Sequence, residues 1–127
     1  MKTLLKFNPL FLAFAFILMM NVVSFAQIKV GGYKSIAETD AGAIAAANFA
    51  VKARGKTDNA EITLESIEKA ESQLVQGTNF RLCMEVSISR ADEDVNYKQM
   101  VKAIIYRNLK QQFTLSSWVE EECAENE

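Results

Sequence analysis

Residues 78–90 alternate strictly between apolar and polar side chains, and this pattern constrains the fold more than any other feature of the sequence. Alternation with a period of two over this length predicts a strand with one buried face. The predicted inward face is wholly apolar and consists of Phe80, Leu82, Met84, Val86 and Ile88.

An alanine-rich stretch upstream of this strand predicts a helix. Asp40 is a residue type that favours the N-cap, and residues 41–54 behind it are rich in alanine, the strongest helix former. Gly55 is expected to end the helix. The apolar stripe predicted for this helix consists of residues at helical spacing, which are Ile44, Ala47 and Val51.

Three further segments, residues 62–75, 97–106 and 111–119, are predicted to be strands. They are separated by turn-like residues at 91–94 and near Asn108. One helix followed by an antiparallel meander predicts an α+β domain. In that architecture one long helix packs on an antiparallel sheet of four to five strands.

The first 26 residues have the layout of a secretory signal peptide. Lys2 and Lys6 precede an apolar run, and the small residues Ser24 and Ala26 fit a cleavage site after residue 26. The uninterrupted apolar core is shorter than the roughly 18 residues typical of a membrane-spanning helix, which disfavours the alternative of an uncleaved anchor. The sequence predicts a mature domain of residues 27–127 that is secreted, or periplasmic in a bacterium, and has no membrane contact after cleavage.

Composition argues against several classes of function. The chain has no histidine, which removes the commonest general base and the commonest metal ligand. Its net charge is −2 and it has no basic run, so nothing suggests a nucleic acid as partner. The sequence therefore predicts a protein that is not an enzyme and that needs no cofactor or metal.

Gln73, Val75 and Gly77 form one short motif, and residues 47–51 of the predicted helix form another. Both motifs resemble those of the cystatins, inhibitors of papain-like cysteine proteases. Gln73, Val75 and Gly77 match the Q-x-V-x-G hairpin loop of that family at all three defined positions, between two predicted strands. Residues 47–51 resemble the helix signature of plant-type cystatins, Ala-Arg-Phe-Ala-Val, and differ from it only at Asn48.

The resemblance extends to the end of the domain in the same order. Residues 103–109 are similar to the strand that leads into the second cystatin loop, and residues 115–118 to the closing Leu-x-x-Phe. The chain is similar to single-domain secreted or plant-type cystatins. This resemblance implies a monomer that inhibits papain-like proteases reversibly by filling their cleft with an N-terminal segment and two hairpin loops. The residues implied to bind the protease are Val30, Gly31, Gly32, Gln73, Leu74, Val75, Gln76, Gly77, Asn108 and Leu109.

The second loop departs from the family pattern. Cystatins usually carry Pro-Trp there, whereas spacing back from Leu115 places Asn108 and Leu109 at that position, and Trp118 falls in the last strand. One alternative is therefore a cystatin-like module that does not inhibit proteases and binds another protein. Another is an enzyme or small-ligand binder with the same helix-on-sheet shape. The wholly apolar inward face of residues 78–90 argues against the latter.

Export would allow Cys83 and Cys123 to form a disulfide. Cys83 shares its strand face with Arg81 and Glu85, so it should point away from the helix, whereas the alternative is an ordinary buried core cysteine. The strand of residues 97–106 should separate the two thiols by about 10 Å, more than a disulfide can span. The bridge can therefore form only if the tail leaves the sheet and crosses its outer face.

Overall fold

A computed structural model of the protein describes residues 31–123. The predicted signal segment, residues 1–26, and Val30 lie outside the described residues. The elements in chain order are β1 (Lys34–Ile36), α1 (Ala41–Asp58), β2 (Glu61–Val75), β3 (Gly77–Arg90), β4 (Val95–Arg107) and β5 (Phe113–Glu120).

The five strands form one antiparallel sheet in the order β1-β2-β3-β4-β5, and α1 packs across one face of it. This confirms the predicted α+β class, including the long helix and the strand number. The sequence did not predict β1, since a strand of three residues carries too little alternation to be recognised.

Helix α1 begins where the sequence predicted, but it ends later. The Asp40 side chain accepts a hydrogen bond from the backbone N–H of Ala43 at 3.0 Å, which caps the first turn. The prediction that Gly55 ends the helix is wrong, because Asn59 adopts the left-handed conformation that closes it. Gly55 is instead a point of close approach, since a Cβ there would lie 2.8 Å from the carbonyl oxygen of Ala60.

The buried face of α1 is made mainly of alanine. Ala47 and Val51 are buried as predicted, but the prediction for Ile44 is wrong, because 40% of that residue is exposed. Small side chains on the inner face let the helix axis lie close to the sheet, and the bulkier isoleucine is left on the outer side. The buried helix residues are Ala43, Ala46, Ala47, Ala50, Val51 and Gly55.

The core lies between α1 and the middle strands of the sheet. All five apolar residues predicted to line the inner face of β3 are at most 2% exposed. Strand β4 adds Val101, Ala103 and Ile105, which are fully buried. Irregularities in the register of β2 with β3, and of β4 with β5, bend the sheet around the helix.

A disulfide joins Cys83 to Cys123, with a Cα–Cα distance of 6.0 Å. Cys83 is paired in register with Lys102 of β4, so the chain must cross β4 after β5 ends. An ion pair of 3.7 Å between Lys102 Nζ and Glu121 Oε1 accompanies this crossing. The disulfide and its route over the outer face are as predicted. The cysteines are 40 residues apart in the chain, and closing such a loop stabilises the fold by about 4 kcal/mol on the chain-entropy account.

Candidate functional site

Three segments of the chain meet at one end of the sheet. Strand β1 pairs with the end of β2, with Lys34 opposite Ser72, so residues 31–34 run beside the β2–β3 turn. The β4–β5 loop lies next to the same turn, because Thr78 is paired with Arg107. We call residues 31–34, 73–77 and 108–112 together the loop edge.

The first loop is a very tight hairpin turn. Val75 and Gly77 are paired across it, which leaves Gln76 alone at the tip. Gly77 has a φ of 107°, a conformation that residues with a side chain rarely adopt. A Cβ at Gly77 would collide with the carbonyl oxygen of Arg107 and would lie 2.9 Å from the Tyr106 hydroxyl. Both the torsion and the packing therefore require glycine at this position.

Side chains on either side of the turn hold the first loop in shape. The Asn79 amide Nδ2 donates to Gln73 Oε1 at 3.1 Å, so Gln73 takes part in the hydrogen bonding of the loop. The hydroxyl of Tyr106, from β4, donates to the carbonyl oxygen of Gln76. Leu74 projects outward and is 73% exposed. The loop therefore presents an apolar side chain on a fixed backbone.

Tyr106 was missed by sequence reasoning as a residue of the site. It lies 30 positions from Gln76 in the chain, and only the register of β3 with β4 brings it to the first loop. The one signal that could have found it is its position just before the second loop, at the predicted end of a strand.

The second loop is organised by one of its own side chains. Asn108 Oδ1 accepts hydrogen bonds from the backbone N–H groups of Lys110 at 3.0 Å and Gln112 at 2.9 Å. Its Nδ2 donates to Gln112 Oε1 at 3.0 Å. Gln111 takes up a positive φ of 64°, and Leu109 at the tip is 78% exposed. The structure thus places Asn108 and Leu109 in the loop between β4 and β5, as the spacing from Leu115 predicted.

The N-terminal segment is fixed to the sheet just after its two glycines. The Arg81 guanidinium lies over the Tyr33 ring, 4.0 Å from its centroid, which is a cation–π contact. Arg81 also donates to Glu71 in a two-pronged ion pair, with Nη2–Oε2 at 2.8 Å and Nε–Oε1 at 3.2 Å. Gly31 and Gly32 are exposed and have room around them.

Glu71 is the titratable group that this anchor perturbs. Its side chain is largely buried on the outer face of the sheet. The hydrogen bond from Arg81 lowers the pKa of the Glu71 carboxyl below its usual value, and this outweighs the opposing effect of burial. The carboxylate therefore stays charged and keeps the Arg81 guanidinium in position over the Tyr33 ring.

The loop edge contains groups suited to binding. Its three segments contain amides, aliphatic side chains, one tyrosine and lysines, with no carboxylate, thiol or histidine. Within residues 31–123 there is also no cluster of carboxylate and thiol groups that could hold a metal ion. Two exposed leucines on preorganised loops can fill a concave partner and exclude water from it.

No protein-family model matches the chain, and no curated protein matches it significantly in sequence. Solved structures do resemble it. A salivary cystatin from the soft tick Ornithodoros moubata is 24% identical with a TM-score of 0.59, over 72% of this chain and 98% of that one. Dimeric human cystatin F is 19% identical with a TM-score of 0.58, over 81% of this chain and 96% of that one. A third structure, Al-CPI, is 20% identical with a TM-score of 0.56, over 72% of this chain and 100% of that one. At these identities the likeness establishes the fold.

Proposed function

Because the chain has the cystatin fold, we propose that it is a reversible inhibitor of papain-like cysteine proteases that acts by filling their active-site cleft. The observation that carries the proposal is the convergence of residues 31–34, 73–77 and 108–112 at one end of the sheet. The residues proposed to bind the protease are Val30, Gly31, Gly32, Gln73, Leu74, Val75, Gln76, Gly77, Asn108 and Leu109.

Preorganisation of the loops supports this mechanism. The two loops are already held by hydrogen bonds, so little conformational entropy is lost when they enter a cleft. Leu74 and Leu109 would transfer apolar surface from water into the protease, which favours binding. No bond is made or broken in the inhibitor, which in this proposal is neither an enzyme nor a substrate that is consumed.

The proposal is tested by titrating active papain with the mature domain. We expect activity to fall in proportion to added inhibitor and to return on dilution, with the inhibitor recovered at unchanged mass. Full protease activity at micromolar inhibitor would refute inhibition.

A matched pair of variants locates the inhibitory surface. Leu74→Glu places a charge on the first loop, and Val95→Glu places the same charge on an exposed apolar residue at the other end of the sheet. Only Leu74→Glu should weaken inhibition. Equal effects of the two substitutions would show that the loop edge is not the surface that meets the protease.

A second candidate function is supported by the second loop. Leu109 offers less apolar area than a tryptophan, a residue favoured as an interface anchor, and Asn108 replaces the rigid proline of the Pro-Trp pattern. A module of this kind could bind another protein without blocking a protease. Binding to papain in a direct binding measurement, with no loss of activity in the titration, would favour this candidate.

We further propose that residues 1–26 are removed as a signal peptide and that residues 27–127 are exported as a monomer, secreted or periplasmic. The Cys83–Cys123 disulfide supports this, since such bridges persist in oxidising compartments. Within residues 31–123 the one helix, α1, is not apolar enough to cross a membrane. Intact mass and N-terminal sequencing of the exported protein should find Gln27 first. An uncleaved chain in the membrane fraction would refute the proposal.

A further inference from the structure

The loop edge carries positive charge. Lys34 and Lys110 are exposed on it, and neither forms an ion pair with another residue of the range 31–123. Arg107 lies directly behind the second loop. The segments 31–36, 73–79 and 105–114 contain no Asp or Glu at all. The end of the sheet that is proposed to enter a cleft is therefore a basic surface.

The nearest carboxylates along the chain do not cancel this charge. Glu38 and Asp40 lie in the connection between β1 and α1. The Asp40 carboxylate and the Arg107 guanidinium lie close together beside Gly42. Asp40 Oδ2 and Arg107 Nη1 are each 3.1 Å from the position that a Cβ on this glycine would take. Asp40 thus offsets Arg107. The single carboxylate of Glu38 does not balance both Lys34 and Lys110, so this end of the sheet keeps a net positive charge.

The opposite end of the sheet is acidic. The β3–β4 turn presents Asp92 and Asp94, and Glu61 begins β2 beside it. Arg90 lies within 4.0 Å of Glu93 and neutralises one further carboxylate of the turn. Among the described residues no ion pair forms at Asp92, Asp94 or Glu61. Lys52 and Lys56 of α1 line the same end beside Glu61, so the three carboxylates outnumber these two lysines and the end keeps a small negative charge.

The two charged ends are so far apart that the charge of one does not cancel the electrostatic field of the other. They are separated by the 14 residues of β3, or about 45 Å at roughly 3.3 Å per residue. The Debye length in physiological salt is about 8 Å, so a partner near one end feels the charge of that end alone. The protein is therefore a long dipole with its positive pole at the loop edge.

From this polarity we infer that the partner of the loop edge is a papain-like protease whose cleft is rimmed by acidic residues, and that Lys34 and Lys110 steer the approach to it. The inference rests on the proposed function and adds the chemical class of the partner. Opposite charges attract the loop edge toward an acidic rim while the acidic end is repelled. Correct orientation is thus favoured before contact, which raises the association rate more than it slows dissociation.

The experiment measures association and dissociation rates with three forms of papain: the natural enzyme, a variant with glutamates introduced around the cleft rim, and a variant with lysines at the same positions. The inhibitor is used as the wild type, as Lys110→Glu, and as Lys56→Glu. Lys56 is an exposed lysine near the C-terminus of α1, at the acidic end, so its variant has the same change in net charge far from the loop edge.

At low salt we expect the wild type to associate with glutamate-rimmed papain about tenfold faster than with lysine-rimmed papain. Lys110→Glu should reduce this ratio to about threefold or less, and Lys56→Glu should leave it unchanged. High salt should bring all the association rates together, and the dissociation rates should differ little. Thermal unfolding of each variant establishes that it is folded.

Two results would overturn the inference while leaving inhibition intact. One is an association rate that does not depend on salt or on the sign of the rim. The other is equal slowing by Lys56→Glu and Lys110→Glu. A chain that inhibits none of the three papains would overturn both the inference and the proposed function, so the two failures can be told apart.

Discussion

The two loops of the loop edge present similarly exposed leucines, yet they are held by different kinds of contact. The first loop is fixed from outside, by the Tyr106 hydroxyl and by the backbone of Arg107 that lies against Gly77. The second is fixed from within, by the Asn108 side chain and by two backbone hydrogen bonds between residues of its own turn. The first loop therefore depends on strand register, whereas the second depends on contacts among its own residues, which the Asn108 side chain reinforces.

This difference predicts how each loop fails. Damage to the first loop should spread into the pairing of β3 with β4, because a neighbouring strand packs against its glycine. Damage to the second loop should stay local, since the strands on either side pair through Arg107 and Phe113 without the side chain of Asn108. Stability and inhibition should therefore change together in one loop and separately in the other.

Gly77→Ala should have the largest effect. The added Cβ meets the Arg107 carbonyl oxygen, and the positive φ is strained for alanine. We expect a loss of about 2–3 kcal/mol in the free energy of unfolding and inhibition weaker by about a hundredfold. Urea unfolding and the inhibition constant measure the two. Gly32→Ala, with nothing within 4 Å of the new Cβ, is the stability control. Equal stability of the two variants would contradict the account of the first loop.

Asn108→Ala should have the next largest effect, mainly on inhibition. The turn loses its two backbone hydrogen bonds to Oδ1 and has to be ordered on binding, so we expect inhibition weaker by about tenfold. The free energy of unfolding should fall by only about 1 kcal/mol. Asn108→Asp keeps an oxygen that can accept both backbone hydrogen bonds and should restore most of the inhibition. If the aspartate variant were as weak as the alanine variant, the second loop would not be organised by this oxygen.

Tyr106→Phe should have a smaller effect than either of these. It removes the hydroxyl that donates to Gln76 and keeps the ring, so inhibition should weaken about fivefold, as expected for about 1 kcal/mol. Tyr97→Phe, on the same strand but at its other end, is the matched control and should leave inhibition unchanged. Equal inhibition constants for the two variants would mean that the first loop does not need support from β4.

Lowering the pH should have a still smaller effect, a loss of stability that affects β1 and the first loop and spares the second loop. The pKa of Glu71 is lowered in the folded protein, so its ion pair with Arg81 stabilises the fold above the ordinary carboxyl pKa of 4.5 and is lost as the pH falls through the lower, folded value. This should loosen β1 and the adjoining first loop, whereas residues 108–112 contain no carboxylate. Urea unfolding across this pH range should show the loss in the wild type. The loss should be smaller in Glu71→Gln and unchanged in Glu38→Gln. If the free energy of unfolding changed equally with pH in all three proteins, the Glu71–Arg81 ion pair would not be its cause.

The sequence predicted the parts of the fold that depend on strong local patterns. Alternation identified the inner face of β3, and the three defined residues of the hairpin motif located the first loop. It did not predict where the buried side of the alanine-rich helix ends, because adjacent stripes are nearly equal in hydropathy and packing distance decides between them. Ile44 was assigned wrongly for that reason.

The supports of the candidate site were the hardest part to predict. Tyr106 reaches Gln76, and Arg81 reaches Tyr33, only through strand register, which a single sequence does not specify. Asn108 was placed by spacing, but its role in organising the turn depends on the backbone path of the following four residues. Residues that project into solvent were therefore easier to identify than those that hold them in place.

The covalent crossing from Cys123 to Cys83 also determines how the protein bears a mechanical load. A pull on the C-terminus of a simple meander would peel an edge strand away, breaking one pair of hydrogen bonds at a time. Here the tension bypasses β5 and enters the central strand β3, while the intervening 40-residue segment is a closed ring that cannot be drawn out. A tethered molecule should therefore resist stretching from this end until the middle of the sheet shears, and reduction of the bridge should return it to unzipping at low force.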